Sequence, residues 1–249
     1  MMAASPGGPG SGTGSVPPRR RRPALTPDQV IDAALELTRA HGLDGWTLRQ
    51  LARALGTWPN TVAHHVGDRE DVVAAVVQRV VAMMPNPPAE LGWQEWFRAL
   101  LLPSRDIIGR YPGVARRLAR DGATVPAALP IMDRGVGLLV DAGFGDRAPL
   151  AYGVLLNSAV LLVALDDDRR LTGPAPGEAA SALLAMPAPE GAGPGWAAMR
   201  PWLRASVEDA VAVRATLYRY TVESLLTGLQ ADLDAGGPPG GVLPPGRRP

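Results

Sequence analysis

The chain has 249 residues, 46% of them apolar, with a formal net charge of +1 and no cysteine. That apolar fraction suffices for a sizeable core, and near-neutrality confines any polyanion-binding role to a local patch. The missing thiols exclude disulfides, thiolate metal sites and cysteine nucleophiles.

Residues 1–23 read as a disordered Gly/Pro-rich tail closing on a run of four arginines, Arg19, Arg20, Arg21 and Arg22. No apolar segment of a secretory signal is present there. The first helix is predicted from "TPDQ": Thr26 as N-cap, Pro27 in the first helical position, Gln29 reaching back as in a capping box. Val30, Ile31, Ala34, Leu35 and Thr38 share its inner face, and Gly42 suits its end. "TLRQ" repeats the signature with Thr47 and Gln50, and Trp46 and Leu51 are placed as a hydrophobic staple. Leu48, Leu51, Ala52 and Leu55 form the buried stripe, and Gly56 ends the second helix.

The stretch "GTWPNTVAHHVGDRED", residues 56–71, concentrates hydrogen-bonding side chains on a short segment. Gly56, Thr57 and Trp58 read as a turn, and Pro59 opens a short helix over 59–66. Val62 and Val66 face inward there and Ala63 partly so, which leaves Asn60, Thr61, His64 and His65 outward. Asp68 caps a fourth helix with valines at helical spacing from Val72 to Val81.

Further helices are expected at about 90–109, 112–121, 125–142, 146–168 and 203–231, with a Pro/Gly-rich flexible loop over 172–201 that can hold a short helix near 178–185. Asp166, Asp167 and Asp168 with Arg169 and Arg170 read as a solvated helix end. The longest apolar run, residues 149–165, is short for a membrane span and contains Asn157 and Ser158, so a buried helix of a soluble, cytoplasmic protein is expected. Residues 234–249 form a second disordered tail. With strand signals almost absent, the fold class is all-α: a three-helix head over 24–84 and a larger helical domain over 85–233.

Two short helices joined by a tight Gly turn make a helix-turn-helix. In that motif the N-terminal residues of the second helix approach base edges in the major groove. Thr57, Trp58, Pro59, Asn60 and Thr61 are therefore the expected base-contacting set. Asn pairs with adenine, Thr bonds or touches a thymine methyl, and Trp or Pro supplies apolar contact. Adjacent His64 and His65 point about 100° apart on a helix, which argues against a shared metal ion, and no metal or cofactor is expected. G-x-S-x-G, H-E-x-x-H, the P-loop and G-x-G-x-x-G are all absent, so catalysis is not expected.

Residues 24–84 resemble the tetracycline-repressor (TetR) family of bacterial transcription regulators. The likeness rests on "VIDAALELTRAHGLDGWTLRQLARALG", the turn, and "TVAHHVGDREDVV". "HV" and, near the C-terminus, "YRYTVESLLTGLQ" resemble the subgroup around the tetracycline repressor itself. The resemblance implies phosphate or base contacts from Thr47 and Arg49, and phosphate contacts from His65 and Arg69, with His64 sharing that work. Ala63 departs from the family's usual Tyr, which implies either weaker backbone anchoring or a shift of that work onto His64, His65 and the Arg arm. Arg19 to Arg22 can lie along the backbone or in a minor groove.

The resemblance further implies a helical domain that binds a small-molecule effector, and a homodimer that reads a palindromic double-stranded operator. Dimerisation would use the helices at 146–168 and 203–231, with Ala210, Val213, Leu217, Thr221, Ser224, Leu225 and Gly228 as the seam of the latter. Helix four, shared by both domains, is the expected lever. Trp93, Trp96, Phe97 and Tyr111 are read either as lining a ligand pocket or as ordinary core. Asn157, in a very apolar helix, needs a hydrogen-bond partner if buried: a ligand, a backbone carbonyl or another subunit.

Overall fold

Capping boxes start three of the first four helices in the computed structural model, which describes residues 25–236 except Ala89, Ala123 and Pro189. Arg19 to Arg22 lie outside the described residues. Helix α1 spans Pro27–His41, α2 Leu48–Ala54, α3 Pro59–Val66 and α4 Arg69–Ala82. Thr26 and Gln29, Thr47 and Gln50, and Asp68 and Asp71 exchange the reciprocal bonds that satisfy otherwise orphaned N–H groups.

The head closes on Trp46. Its indole is buried and Nε1 donates to Thr38 Oγ1 at 2.9 Å, while that hydroxyl donates to the Ala34 carbonyl at 2.8 Å. Arg69 lies over the Trp46 ring at 5.1 Å and donates to the carbonyls of Leu43 and Trp46 at 3.0 and 3.3 Å. Arg79 of α4 reaches Asp28 and Asp32 of α1 at 2.6 and 3.1 Å.

The remaining helices are α5 Trp93–Gly109, α6 Val114–Asp121, α7 Leu129–Leu139, α8 Ala148–Thr172, α9 Glu178–Ala185, α10 Pro194–Glu208 and α11 Ala210–Asp234. No strand occurs among the described residues. Helix α11 docks on α5 through buried Tyr218, Val222 and Leu226, positions outside the seam expected from the sequence. Polar links hold it in register: Arg98 Nε donates to both Glu223 carboxylate oxygens at 2.9 Å, and Tyr218 OH donates to the Leu101 carbonyl at 2.8 Å.

Three sequence expectations are corrected. Residues 172–201 are not one loop, because Pro194 opens α10 there and α9 and α10 pack on each other. The expected helix at 203–231 is broken at Asp209, whose non-helical backbone ends α10 and whose carboxylate caps α11 through the N–H groups of Val211 and Ala212. The acidic cluster is not a solvated end: Asp167 is 1% exposed. Its carboxylate accepts from Gly113 N–H at 3.0 Å and from Arg170 Nη2 at 2.7 Å, and the same Nη2 donates to the Gly109 carbonyl at 2.8 Å.

Asp167 therefore ties the end of α8 to the α5–α6 turn. Burial pushes its carboxyl above the usual value, although Gly113 N–H and Arg170 pull the other way. With the folded value raised, the unfolded chain releases this proton first as pH climbs past about 4, and the group's contribution to stability falls. The stability difference between the parent and Asp167→Asn is thus expected to move against the parent as pH rises toward neutrality, read by urea unfolding at several pH values. A difference moving the other way would show that the hydrogen bonds outweigh burial.

The head and the larger domain meet at this junction. Leu43 N–H donates to the Pro112 carbonyl at 2.7 Å, and Arg117 of α6 pairs with Glu70 of α4 at 2.8 Å. Gly113, at φ +92°, sits so close to the head that a Cβ there would lie 3.0 Å from Leu43 Cβ. Helix α4 makes the expected link as well, its Gln78 Oε1 accepting from Ala127 N–H at 2.9 Å. The structure thus adds α6 to α4 as a bridge between the two parts.

Candidate nucleic-acid interface

The turn between α2 and α3 is a Schellman motif. Gly56 N–H donates to the Arg53 carbonyl at 3.1 Å and Thr57 N–H to the Ala52 carbonyl at 2.9 Å, with Gly56 at φ +63°. Only glycine takes that conformation without steric cost. Gly56→Ala is expected to cost about 1–2 kcal/mol, read as a lower melting temperature. An unchanged melting temperature would mean that the turn relaxes into another form.

The turn presents α3 with its N-terminal end outward. Val62 alone in α3 is fully buried and anchors it. Trp58, the N-cap residue, is 79% exposed, Asn60 is exposed, and Thr57, Pro59 and Thr61 are half-buried. Trp58 makes no side-chain cap, and among the described residues no side-chain hydrogen bond involves Thr57, Asn60 or Thr61. These groups are not spent on capping their own helix. Thr47 and Arg49 are exposed at the start of α2, although Thr47 is bonded to Gln50 in its capping box.

Histidines His64 and His65 stand on the outer side of α3, exposed and half-buried, with rings edge to face at 5.7 Å. Ala63 is exposed rather than partly inward, because Val62 and Val66 already occupy the inner face of so short a helix. Arg69 is a correction: its guanidinium is committed to Leu43, Trp46 and Glu70, so it clamps the head instead of standing free for a phosphate. Arg53 was missed. It is exposed without an ion pair among the described residues, one turn from Arg49 on α2, and that i, i+4 spacing was the available signal.

The ligand-lining set is redistributed. Trp93, Trp96 and Phe97 share one face of α5, and Trp96 and Phe97 are 0% exposed. Edge-to-face contacts join Trp93 to Phe144, Trp96 to Phe97 and Phe97 to Tyr152, with centroids at 5.4, 5.1 and 6.2 Å. Rings without accessible surface border no open space, so in this conformation they are core. Burial also raises the Tyr152 phenol to about 12, which keeps it neutral. Tyr111 lies apart from this cluster, its hydroxyl 3.9 Å from Met83 Sδ. Asn157 is exposed on α8 and needs no internal partner, because that side of the helix faces away from the core. The open cleft, of about 1090 Å³, lies elsewhere, between the end of α8, the α9–α10 pair and the start of α11.

A family model described as "Bacterial regulatory proteins, tetR family" matches residues 30–76, which span α1 to α4. The chain is 27% identical over 152 residues to the HTH-type transcriptional repressor DrrR1 of Streptomyces coeruleorubidus, covering 60% of this chain and 56% of that one. It is 35% identical over 104 residues to the class D tetracycline repressor protein of Escherichia coli, covering 41% and 44%. A solved structure of a possible TetR family transcriptional regulator from Streptomyces coelicolor A3(2) superposes with a TM-score of 0.67 at 27% identity, over 82% of this chain and 98% of that one. The head of the chain, residues 30–76, matches the TetR family.

The matched stretch spans about half the length of these curated TetR relatives. The TetR-family protein ActR of Streptomyces coelicolor, solved in complex with actinorhodin, superposes at a TM-score of 0.61 and 27% identity over 83% of this chain and 97% of that one. The TetR match falls on the head, where the capped helices, the Gly56 turn and the outward α3 are found together. The curated TetR relatives are transcriptional regulators.

Proposed function

We propose that this chain is a cytoplasmic, ligand-responsive transcriptional repressor that binds a pseudo-palindromic operator as a homodimer, without catalysis. The observation that carries the reading is the start of α3, where Trp58 and Asn60 are exposed, Thr61 is half-buried, and none of the three side chains makes a hydrogen bond among the described residues. Asn60 is suited to adenine, Thr61 and Trp58 to thymine methyl groups. Thr47, Arg49, Arg53, His64, His65 and the Arg19 to Arg22 arm would supply the backbone contacts that set register.

A two-fold dimer is supported by α8 and α11. They pack side by side, and each keeps exposed apolar side chains away from the cleft: Leu161 and Leu165 on α8, Tyr220 on α11. This accounts for α8, within the stretch Pro126–Thr172, being long and apolar enough to cross a membrane by length and composition: one side packs on the protomer and the other is apolar for a partner. Asn157 lies on that outer side and would face the second subunit. The proposed domain limits are 24–84 for the head and 85–233 for the effector and dimerisation part.

Ligand response is supported by the ActR likeness and by the junction at Asp167, Gly113 and Leu43, through which a shift of α6 or α8 would reorient the head. A ligand moves that equilibrium only through different affinities for the two forms. A ligand-independent regulator is the second reading, favoured by the fully buried Trp96 and Phe97. Thermal stabilisation by effector candidates separates the two, since a filled pocket gives none.

The test of the main reading is binding of the purified protein to fragments from around its own gene across a salt series. Tight binding to one fragment, falling by roughly 10³- to 10⁵-fold between 50 and 200 mM salt for six to ten phosphate contacts, is expected. Weak binding equal on all fragments, unchanged by Ala63→Tyr, would reject it.

A further inference from the structure

We propose that the cleft between α8, α10 and α11 is a binding site for a small organic anion, a carboxylate carried on a flat apolar body. This goes beyond the DNA-binding reading and does not depend on it. At about 1090 Å³ the cleft lies near the upper end of the sizes taken by ligand pockets. It is separate from the packed aromatic cluster of α5.

The cleft has two kinds of wall. Val163, Trp202, Val211 and Leu217 form the apolar side, and the last three are exposed. Large apolar side chains gathered around a concave surface are what a ligand covers. Trp202 offers a flat ring for another flat ring. Across from them the wall is charged, with five arginines against three aspartates. Positive charge is therefore in excess.

The arginines are short of acceptors. Asp166 is shared by Arg105, Arg214 and Arg169, at 3.3, 3.2 and 3.9 Å, with Asp106 a second partner of Arg105 at 3.2 Å. The Nε of Arg105 is buried and has no hydrogen-bond partner. Arg110 lines the cleft, is exposed, and makes no ion pair among the described residues. Arg110 is the guanidinium of this wall left without a carboxylate among the described residues, and an arriving carboxylate supplies two oxygens in the geometry arginine prefers. A cationic ligand would meet the excess of guanidinium charge, and a neutral apolar one would leave Arg110 without a counter-charge. A carboxylate on a ring system matches both walls.

The test uses the full chain, with 2-naphthoate as the probe and 2-naphthamide as its uncharged counterpart, measured by titration calorimetry. Saturable binding of one 2-naphthoate per chain is expected, with the amide at least about tenfold weaker. Arg110→Gln and Trp202→Ala should each weaken 2-naphthoate by about tenfold. Both side chains are solvent-accessible, so folding should survive, and melting curves check that it does. Glu36→Gln, exposed on α1 of the head, should leave the affinity unchanged. Equal binding of acid and amide, affinity indifferent to both cleft substitutions, or no saturable heat at millimolar 2-naphthoate would each overturn the proposal. The last is also the result expected if a second copy of the chain covers the cleft.

Discussion

Replacing Asn60 and Thr61 together by alanine is expected to weaken binding to the operator by about a hundredfold or more while leaving the melting temperature unchanged. The magnitude follows from the roughly 1–3 kcal/mol that a good base-edge contact contributes to discrimination. The unchanged stability follows from the structure, where neither side chain holds α3 in place and Val62 anchors it from below. Alanine is a better helix former than either residue, so the helix itself should not suffer. Fluorescence anisotropy at one fixed salt concentration measures the first quantity and calorimetry the second. The comparison with Arg49→Ala is informative, because a phosphate contact should weaken binding to all sequences alike and reduce the salt slope by about one. Unaltered affinity in the double variant would show that α3 does not read the operator.

The largest stability effect is expected at Trp46. Trp46→Ala should cost about 3–5 kcal/mol, since the ring is fully buried between α1, α2 and α4. Two interactions go with it: the indole hydrogen bond to Thr38 and the ring on which Arg69 lies. Trp46→Phe keeps a ring and loses the N–H. It should be milder, with about 0.5–1.5 kcal/mol for the hydrogen bond added to the volume lost. Urea unfolding ranks the two. The head should be the part that loosens, so operator binding should fall in Trp46→Ala even where the larger domain stays folded. A loss below about 1 kcal/mol, far short of the range for aromatic-to-alanine changes, would mean that the head closes without this ring.

Much of the head was legible because its signals are local. Thr26 with Gln29, Thr47 with Gln50 and the valines after Asp68 each specify an element within a few residues, and the structure places α1 to α4 on those signatures. The α3 span 59–66 followed from Pro59 and the glycines on either side. Arg69 could not be read in that way. Its partners are Leu43 and Trp46, carbonyls more than twenty positions away, and only the folded head shows that its donors are already in use.

The larger domain was less legible, because its decisive contacts join distant segments. Asp167 looks like one of three solvated aspartates until α6 brings Gly113 against it. Residues 194–201 look like loop by composition, yet Pro194 in a first turn, where its missing N–H costs nothing, lets α10 form and pack on α9 and α11. Periodicity put Trp93, Trp96 and Phe97 on one face but did not say whether that face borders a cavity or other side chains. Phe144 and Tyr152, from later segments, fill the space. What the sequence determined by itself was the resemblance of the head to the TetR family, the all-α class and the span of α3, all carried by neighbouring residues. The packed aromatic core, the Asp167 tie and the charged cleft at the end of α8 were decided by tertiary structure, because burial and ion pairing depend on which distant surfaces meet.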